Sequence, residues 1–350
     1  MPNILFLNIY YQNFMDQHYQ DNPHLASAGS EEQHASLQAA MFGDSDFYSR
    51  AMSKLGWSAK DLITNAEKSQ RRWAAEFAFN STSLQDILIE QIRILEPDVI
   101  YAQAPWTINK EVYKAIRPVI KLLVGQAGFP IEQYSGAETQ FDLFFTTIPE
   151  NVAKFKEVEI DAYYNPLGFD PRVIEFDLSE SEIEYPLTFV GGLTGNHKSR
   201  RVFLDLISDH FIIDCWGYGY GELLLKPNIH YHGEIWGRDM FEVLRRSYIT
   251  LNNHIDTVSD CVGNMRMFES TGCGALLFTD DGSNLDDLFE RGNEVIVYEN
   301  YEHCLELLLE YADKPDERST IAKAGQRRTL ADHTYARRME LVAKVLEAKL

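Results

Sequence analysis

The run Asn264-Met265-Arg266-Met267-Phe268-Glu269-Ser270-Thr271-Gly272-Cys273-Gly274-Ala275-Leu276-Leu277-Phe278-Thr279-Asp280 carries the reading of the fold. Met265, Phe268 and Glu269 fall at helical spacing, Gly272 and Gly274 stop that helix, and 275–278 are continuously apolar. An apolar strand of that kind suits a parallel sheet covered on both faces. The expected order is helix, glycine break, buried strand.

A helix starting near 262–264 presents unpaired backbone N–H groups, and its dipole favours an anion such as a diphosphate. Asn264 stands at its start and Arg266 offers a planar cationic fork. One turn on, the two oxygens of Glu269 suit the paired hydroxyls of a ribose. Phosphate clamp plus diol acceptor is the chemistry of a nucleotide site. The same residues also suit a buried Arg266–Glu269 ion pair.

The chain has 350 residues, 53 acids against 32 bases, and a formal net charge of −21. That length suits two domains, and hydrophobic residues at 45% with aromatics at 12% supply ample core. The acidic balance argues against nucleic acid or an anionic membrane surface as partner, so an anionic ligand needs a local basic pocket. The opening Met1-Pro2-Asn3-Ile4 has no positive leader, and no apolar run nears the roughly 18 residues of a span. A cytoplasmic protein without an integral membrane segment is expected. Cys215, Cys261, Cys273 and Cys304 are scattered, three of them in apolar surroundings. That is the pattern of reduced core thiols, with neither disulfides nor a zinc site.

Upstream, 3–10 reads as a strand, and a polar stretch through Gly29 is too long for a simple connection. Helical patterns follow at 31–42, 46–55 and 68–77, with a strand at 61–65 and an amphipathic helix at 83–96 closed by Pro97. Strands at 98–102, 120–125, 142–147 and 162–167 follow, the first two joined by a helix at 109–116. Such alternation implies right-handed crossovers and a Rossmann-like parallel sheet. The stretch 169–186, acidic with Asp177, Glu180, Glu182 and Glu184, reads as the interdomain connection.

A second series starts at 187–190, then Gly191-Gly192-Leu193-Thr194-Gly195-Asn196-His197-Lys198-Ser199-Arg200-Arg201 and a helix to Ser208. Glycines let backbone approach a ligand, Thr194 offers a hydroxyl, and Lys198 with Arg200 or Arg201 offers local positive charge. An ordinary tight turn with solvated bases fits the same residues. The spacing matches neither G-x-G-x-x-G nor G-x-x-x-x-G-K-[ST], so neither nicotinamide binding nor ATP hydrolysis is supported. Further strands are expected at 211–216, 229–232, 248–253, 275–280 and 294–298, with helices at 238–247, 285–291 and 301–312 and a helical tail at 322–330 and 334–349. Polar groups then gather at the carboxyl ends of strands, where open parallel sheets bind ligands: Gly191 to Thr194, Trp216-Gly217, Gly233, Asn252-Asn253 and Asp280.

Phe189-Val190-Gly191-Gly192, Gly233, Leu251-Asn252, Arg266-x-Phe268-Glu269-x-x-Gly272-x-Gly274-Ala275-Leu276, Val297-Tyr298 and Ile321-Ala322-x-Ala324-Gly325 occur in this order. The set, with Gln326-Arg327-Arg328 and His333-Thr334-Tyr335-x-x-Arg338, resembles the CgeB-like, "glycosyl transferases group 1" type of glycosyltransferase. The likeness is concentrated in 187–340. It implies a GT-B architecture, two Rossmann-like domains facing across a cleft, with a nucleotide-sugar donor on the C-terminal domain and the acceptor mainly on the other. By this resemblance Glu269 contacts the donor ribose, and Lys198 with Arg200 or Arg201 faces the diphosphate. Cys261 stands where the wider retaining group often has the first acid of an E-x7-E pattern, so the stereochemical outcome is left open.

Other constellations compete. Asp44-Ser45-Asp46 matches a metal-holding D-x-D, but no buried strand precedes it, and a helix cap is expected. His230-x-His232 has metal-ligand spacing on one strand face without a third ligand nearby in sequence. Asn80-Ser81-Thr82 is a glycosylation sequon by pattern, read as a helix cap before Leu84. For a general base the candidates are Asp16, His18, His24, Gln126 and Glu138, none singled out by spacing; Gln126 is placed to touch a sugar.

The expected protein is α/β: domain 1–168, linker 169–186, donor domain 187–333, and a terminal helix 334–350 packing back on the first domain. The expected function is transfer of a sugar from a nucleoside diphosphate sugar to a glycan, glycoconjugate or protein hydroxyl, with no metal and no cofactor. The donor-binding set is Gly191, Gly192, Thr194, Lys198, Arg200, Arg201, Trp216, Gly217, Gly233, Asn252, Asn264, Arg266 and Glu269. Two alternatives are a nucleotide-sugar epimerase of the same fold and a catalytically silent nucleotide- or sugar-binding protein.

Overall fold

The computed structural model describes residues 1–131, 137–175, 184–194, 198–254 and 260–350, with the backbone alone at Ala137, Glu138 and Lys198. Two compact units emerge, Met1–Pro166 with Tyr335–Leu350, and Leu167–Thr334.

The first unit holds strands β1 (Asn3–Asn8), β2 (Ser58–Ile63), β3 (Val99–Ala102), β4 (Leu122–Ala127), β5 (Leu143–Thr146) and β6 (Asp161–Tyr164). They form one sheet in the order β2-β1-β3-β4-β5-β6, every pairing parallel. Leu5, Leu7, Ile100, Ala102 and Leu123 are buried between sheet and helices, which is why these strands read as unbroken apolar runs. The helix Leu84–Leu95 ends in a left-handed Glu96 just before Pro97, and Ser83 accepts the Asp86 N–H at its start. The cap is therefore Ser83 rather than a residue of the 80–82 triplet, and Ser81 donates to the Asp86 carboxylate. The long polar stretch contains a helix, Gln12–Asp21, that the sequence hides because it buries only Phe14, Met15 and Tyr19.

The second unit holds β7 (Tyr185–Val190), β8 (Ile213–Trp216), β9 (Ile229–Tyr231), β10 (Ser247–Leu251), β11 (Leu276–Asp280) and β12 (Ile296–Tyr298). Its sheet runs β12-β11-β10-β7-β8-β9, again all parallel, and the direction of winding reverses between β7 and β10. The order helix, glycine break, strand is present as Met265–Cys273, a left-handed Gly274, and β11. Gly272 lies inside the helix rather than ending it: a Cβ there would meet the Phe169 ring at 2.5 Å. All four cysteines are buried and none is in a disulfide.

The stretch read as a linker is packed where it is described. Phe169 donates its N–H to His333 O at 2.9 Å, and Phe169 and Val173 are buried. The acidic residues Asp177, Glu180 and Glu182 lie outside the described residues. The last helix, Tyr335–Glu347, belongs to the first unit, where Tyr335 stacks on Phe47 at 5.1 Å and Lys349 pairs with Asp161 at 2.6 Å.

Asp44 and Asp46 do not cap the next helix through their side chains, since Asp46 makes no cap bond. Asp44 accepts from Tyr335 Oη at 3.1 Å and Gln103 Nε2 at 3.3 Å. Nearby, Asp61 is half-buried, accepts from Ser49 Oγ and from Gln38 Nε2 at 3.1 Å, and leaves a buried Oδ1 without a partner. Burial, with Asp46 and Asp44 adding repulsion, pushes its carboxyl up to about 7. A raised acid binds a proton in the folded state that the unfolded chain has lost, so stability falls as pH rises from about 4 to about 7, on the order of 4 kcal/mol at full effect. Asp61→Asn is expected to remove this dependence, so that its melting temperature exceeds wild type at pH 8 and converges with it at pH 4 to 5 in paired thermal melts.

Candidate functional site

Ligand crevices in open parallel sheets lie at the carboxyl ends of strands where the winding reverses. In the second unit this is the end of β7 beside the end of β10. The loops there are locked by close backbone contact. Gly191 N–H donates to Trp216 O at 2.9 Å, Leu193 N–H to Tyr218 O at 2.8 Å, and Gly217 N–H to Gly233 O at 2.9 Å. Gly217 has φ +129° and lies against Gly191 O, where any Cβ would overlap the carbonyl; a Cβ on Gly192 would meet the Tyr218 ring at 2.6 Å. These glycines seat backbone on backbone and ring.

Arg200, which is buried, and Arg201, which is exposed, both bond main-chain carbonyls. Arg200, 8% exposed, gives Nε and Nη2 to Asn253 O at 2.9 and 2.6 Å and Nη1 to Gly192 O at 3.0 Å. It therefore ties the loop after β7 to the loop after β10. Burial lowers its pKa, with Asp280 opposing and Arg266 adding to the fall. Arg201 holds the next turn through Tyr220 O at 3.1 Å and Gly219 O at 2.6 Å. Lys198 opens the helix Lys198–Ser208, Thr194 is exposed, and 195–197 lie outside the described residues.

Trp216 is 4% exposed, with His232 stacked on it at 4.4 Å and Tyr185 edge-on at 5.0 Å. Its indole is thus core rather than a ligand surface. His232 Nε2 also meets Asp214 Oδ1 at 2.7 Å, which gives the paired histidines a structural partner. Among the described residues no group of three or more His, Cys, Asp or Glu side chains is placed to hold a metal ion.

The helix Met265–Cys273 is pinned at its start. Asn264 Oδ1 accepts the Met267 N–H at 3.2 Å, and Asn264 Nδ2 donates to Asn252 Oδ1 at 2.9 Å. Asn252, 2% exposed, also bonds Thr279 Oγ1 at 3.0 Å through its amide, and its carbonyl accepts Tyr298 Oη at 2.6 Å. Arg266 donates Nε to Val190 O at 3.1 Å and touches Met240 Sδ at 3.2 Å. Its Nη1 lies 2.8 Å from Glu269 Oε2, so the ion-pair reading of this pair is the contact observed. Glu269 is buried; burial raises its pKa and Arg266 opposes the rise. Among the described residues its carboxylate has no other partner.

The candidate bases scatter over the first unit. Asp16 is exposed and accepts from Gln12 at 2.9 Å, and His24 is exposed in the turn Pro23–Ser27. His18 meets Ser36 Oγ at 2.9 Å, and burial lowers its pKa against Asp21. Gln126 sits inside β4, where it accepts from Tyr101 Oη at 3.1 Å, rather than beyond a strand end. Glu138 falls in the turn Ala137–Gln140. Sequence reading missed His254, which bonds Asp280 at 2.6 Å beside the helix start; its place directly after Asn252-Asn253 was the available signal.

Residues 200–344 match the family described as "Glycosyl transferase-like". No curated protein matches the sequence. Among solved structures, the chain resembles sucrose-phosphate synthase from Thermosynechococcus elongatus at 10% identity, covering 100% of each chain with a TM-score of 0.60. It resembles Anabaena Alr3699/HepE, solved with UDP-glucose, at 12% identity over 99% of each chain with a TM-score of 0.66. A putative UDP-N-acetylglucosamine 2-epimerase from Listeria monocytogenes aligns at 12% identity over 100% of this chain and 98% of that one, with a TM-score of 0.54. The fold is GT-B, and the family match over 200–344, less than half of the chain, points to glycosyl transfer. Among the described residues no helix is long and apolar enough to cross a membrane.

The backbone contacts make a specific demand. Gly217→Ala must both overlap Gly191 O and hold a left-side φ, whereas Gly233→Ala, with open space around a Cβ, meets only the φ penalty. Urea unfolding is expected to show a loss of about 1 kcal/mol for Gly233→Ala and at least about 3 kcal/mol for Gly217→Ala.

Proposed function

We propose that this chain moves a sugar from a nucleoside diphosphate sugar to a hydroxyl-bearing acceptor, a glycan, glycoconjugate or protein, in the manner of CgeB-like enzymes. The donor sits in the second unit at the carboxyl ends of β7, β10 and β11. The observation that carries the reading is Glu269: a buried carboxylate one turn into a capped helix, with Arg266 on Oε2 and, among the described residues, no other partner. A ribose diol meets its other oxygen, while Gly191, Gly192 and Thr194 border the sugar diphosphate. Lys198, Arg266 and the helix start supply the positive potential that stabilises the leaving diphosphate without a metal. The reaction is cytoplasmic in this reading.

Truncating Glu269 to alanine leaves the Arg266 charge buried and unpaired, which confounds binding with folding. Glu269→Gln keeps the volume and is the sharper probe. It is expected to weaken nucleoside diphosphate binding by about 1.5 to 3 kcal/mol, the scale of a charge-assisted hydrogen bond, in a protein that still melts cooperatively. The nucleotide comes from a thermal-shift panel of UDP, GDP, TDP, ADP and CMP with and without magnesium, where a ligand at 100 times its Kd adds about 2.7 kcal/mol. One selective, magnesium-independent shift, abolished in Glu269→Gln, is the expected result. A shift that needs magnesium removes the metal-independent mechanism, and no shift at all removes the donor reading.

A further inference from the structure

His254 follows β10 and reaches over the end of β11, with 9% of its side chain exposed. Its main-chain N–H donates to Asp280 Oδ2 at 2.9 Å, and its Nδ1 lies 2.6 Å from Asp280 Oδ1. On the other side of the ring, Nε2 receives the N–H of Gly263 at 2.9 Å and that of Asn264 at 3.3 Å. Two N–H groups aimed at one ring nitrogen need a lone pair there, so the proton belongs on Nδ1, where Asp280 accepts it. Burial alone would raise the Asp280 carboxyl, but the electrostatic attraction and hydrogen bonds of His254 outweigh it and hold the pKa below the ordinary carboxylate value.

Gly263 and Asn264 lead directly into the helix that carries Arg266 and Glu269, and Asn264 is its cap. A buried imidazole–carboxylate couple is costly to desolvate, and apolar packing would hold a loop as firmly. What the couple adds is direction: two backbone N–H groups are drawn to one point. We propose that His254, kept in its Nδ1–H form by Asp280, is a positioning residue of the donor site that sets Gly263–Asn264, and through them Arg266 and Glu269, against the ends of β7 and β10. This rests on the donor reading above. A protonated His254 turns an acceptor into a donor facing two donors, so it releases the turn. Among the described residues, the other charged or titratable groups around the couple are Arg200, Tyr298 and Cys304, all near Asp280, and Arg266 beyond Arg200.

The test uses UDP and the other nucleoside diphosphates as probes on the full chain. Nitrogen-15 NMR of the ligand-free protein is expected to show His254 with a protonated Nδ1 and a bare Nε2. His254→Leu, which removes the acceptor, is expected to weaken binding of the selected diphosphate about tenfold or more, the scale of losing an orienting contact. His254→Gln, whose amide oxygen reaches the same two N–H groups, is expected to restore most of that affinity. Wild-type affinity falls as the His254 imidazolium signal grows, while the glutamine variant stays flat over the same pH range. An Nε2–H tautomer, a folded leucine variant with unchanged affinity, or a glutamine variant no better than leucine overturns the proposal. A wild-type protein that binds none of the diphosphates overturns the donor reading and this inference with it, an outcome told apart by the NMR result, which needs no ligand.

Discussion

Where winding reverses in a parallel sheet, two neighbouring strands send their chains away from each other, and no main-chain ladder continues past their ends. One side chain closes that gap in the second unit. The guanidinium of Arg200 bonds Asn253 O twice and Gly192 O once, so the loops after β7 and β10 share a single rigid cation. A buried guanidinium with its N–H groups unmatched would be costly, and here carbonyl oxygens supply the partners that water would otherwise provide. Lysine has neither the reach in two directions nor the planar fork to do the same. The loop positions that border the proposed donor follow from this contact.

Around that brace, polar side chains work as connectors. Asn252 and Asn264 join the end of β10 to the start of the helix, Tyr298 reaches the Asn252 carbonyl from β12, and Arg266 reaches Val190 O from inside the helix. Each bond links a different pair of elements, and together they give the ends of β7, β10, β11 and β12 one shared geometry. Buried hydrogen bonds contribute about 1 kcal/mol each to stability, but leaving one unmade costs more, which is what makes such a network specific. Rigidity at this place fits a reaction in which charge develops on a leaving diphosphate, since preorganised dipoles need not rearrange as it departs.

Apolar periodicity and glycine placement made the fold legible. Among the described residues, both sheets and all twelve strands fall at or near expected segments; the central strands do so because buried parallel strands read as unbroken apolar runs. The helix Gln12–Asp21 escaped, since its three buried residues leave a polar stripe all round the rest. The site was legible in place but not in role. Sequence shows that Arg200, Arg266, Asn252 and Trp216 stand near strand ends; it cannot show that their polar groups or rings are turned onto neighbouring backbone and core. A cation beside a glycine turn has the same spelling whether it meets a phosphate or a carbonyl. His254 shows the reverse: its partners Asp280, Gly263 and Asn264 lie 26, 9 and 10 positions away, and only the parallel pairing of β10 with β11 brings them to one ring.

The first unit is built from two pieces of chain, Met1–Pro166 and Tyr335–Leu350, with the whole second unit spliced between them. During synthesis the surface that receives Tyr335, formed by Phe47, Tyr48 and Asp44, emerges nearly three hundred residues before the helix that covers it. Until then the first unit carries an uncovered aromatic face and a carboxylate lacking its tyrosine partner. The second unit, continuous in sequence, meets no such delay. Order of completion is therefore the inverse of order of appearance: the half that begins the chain is the half that finishes last.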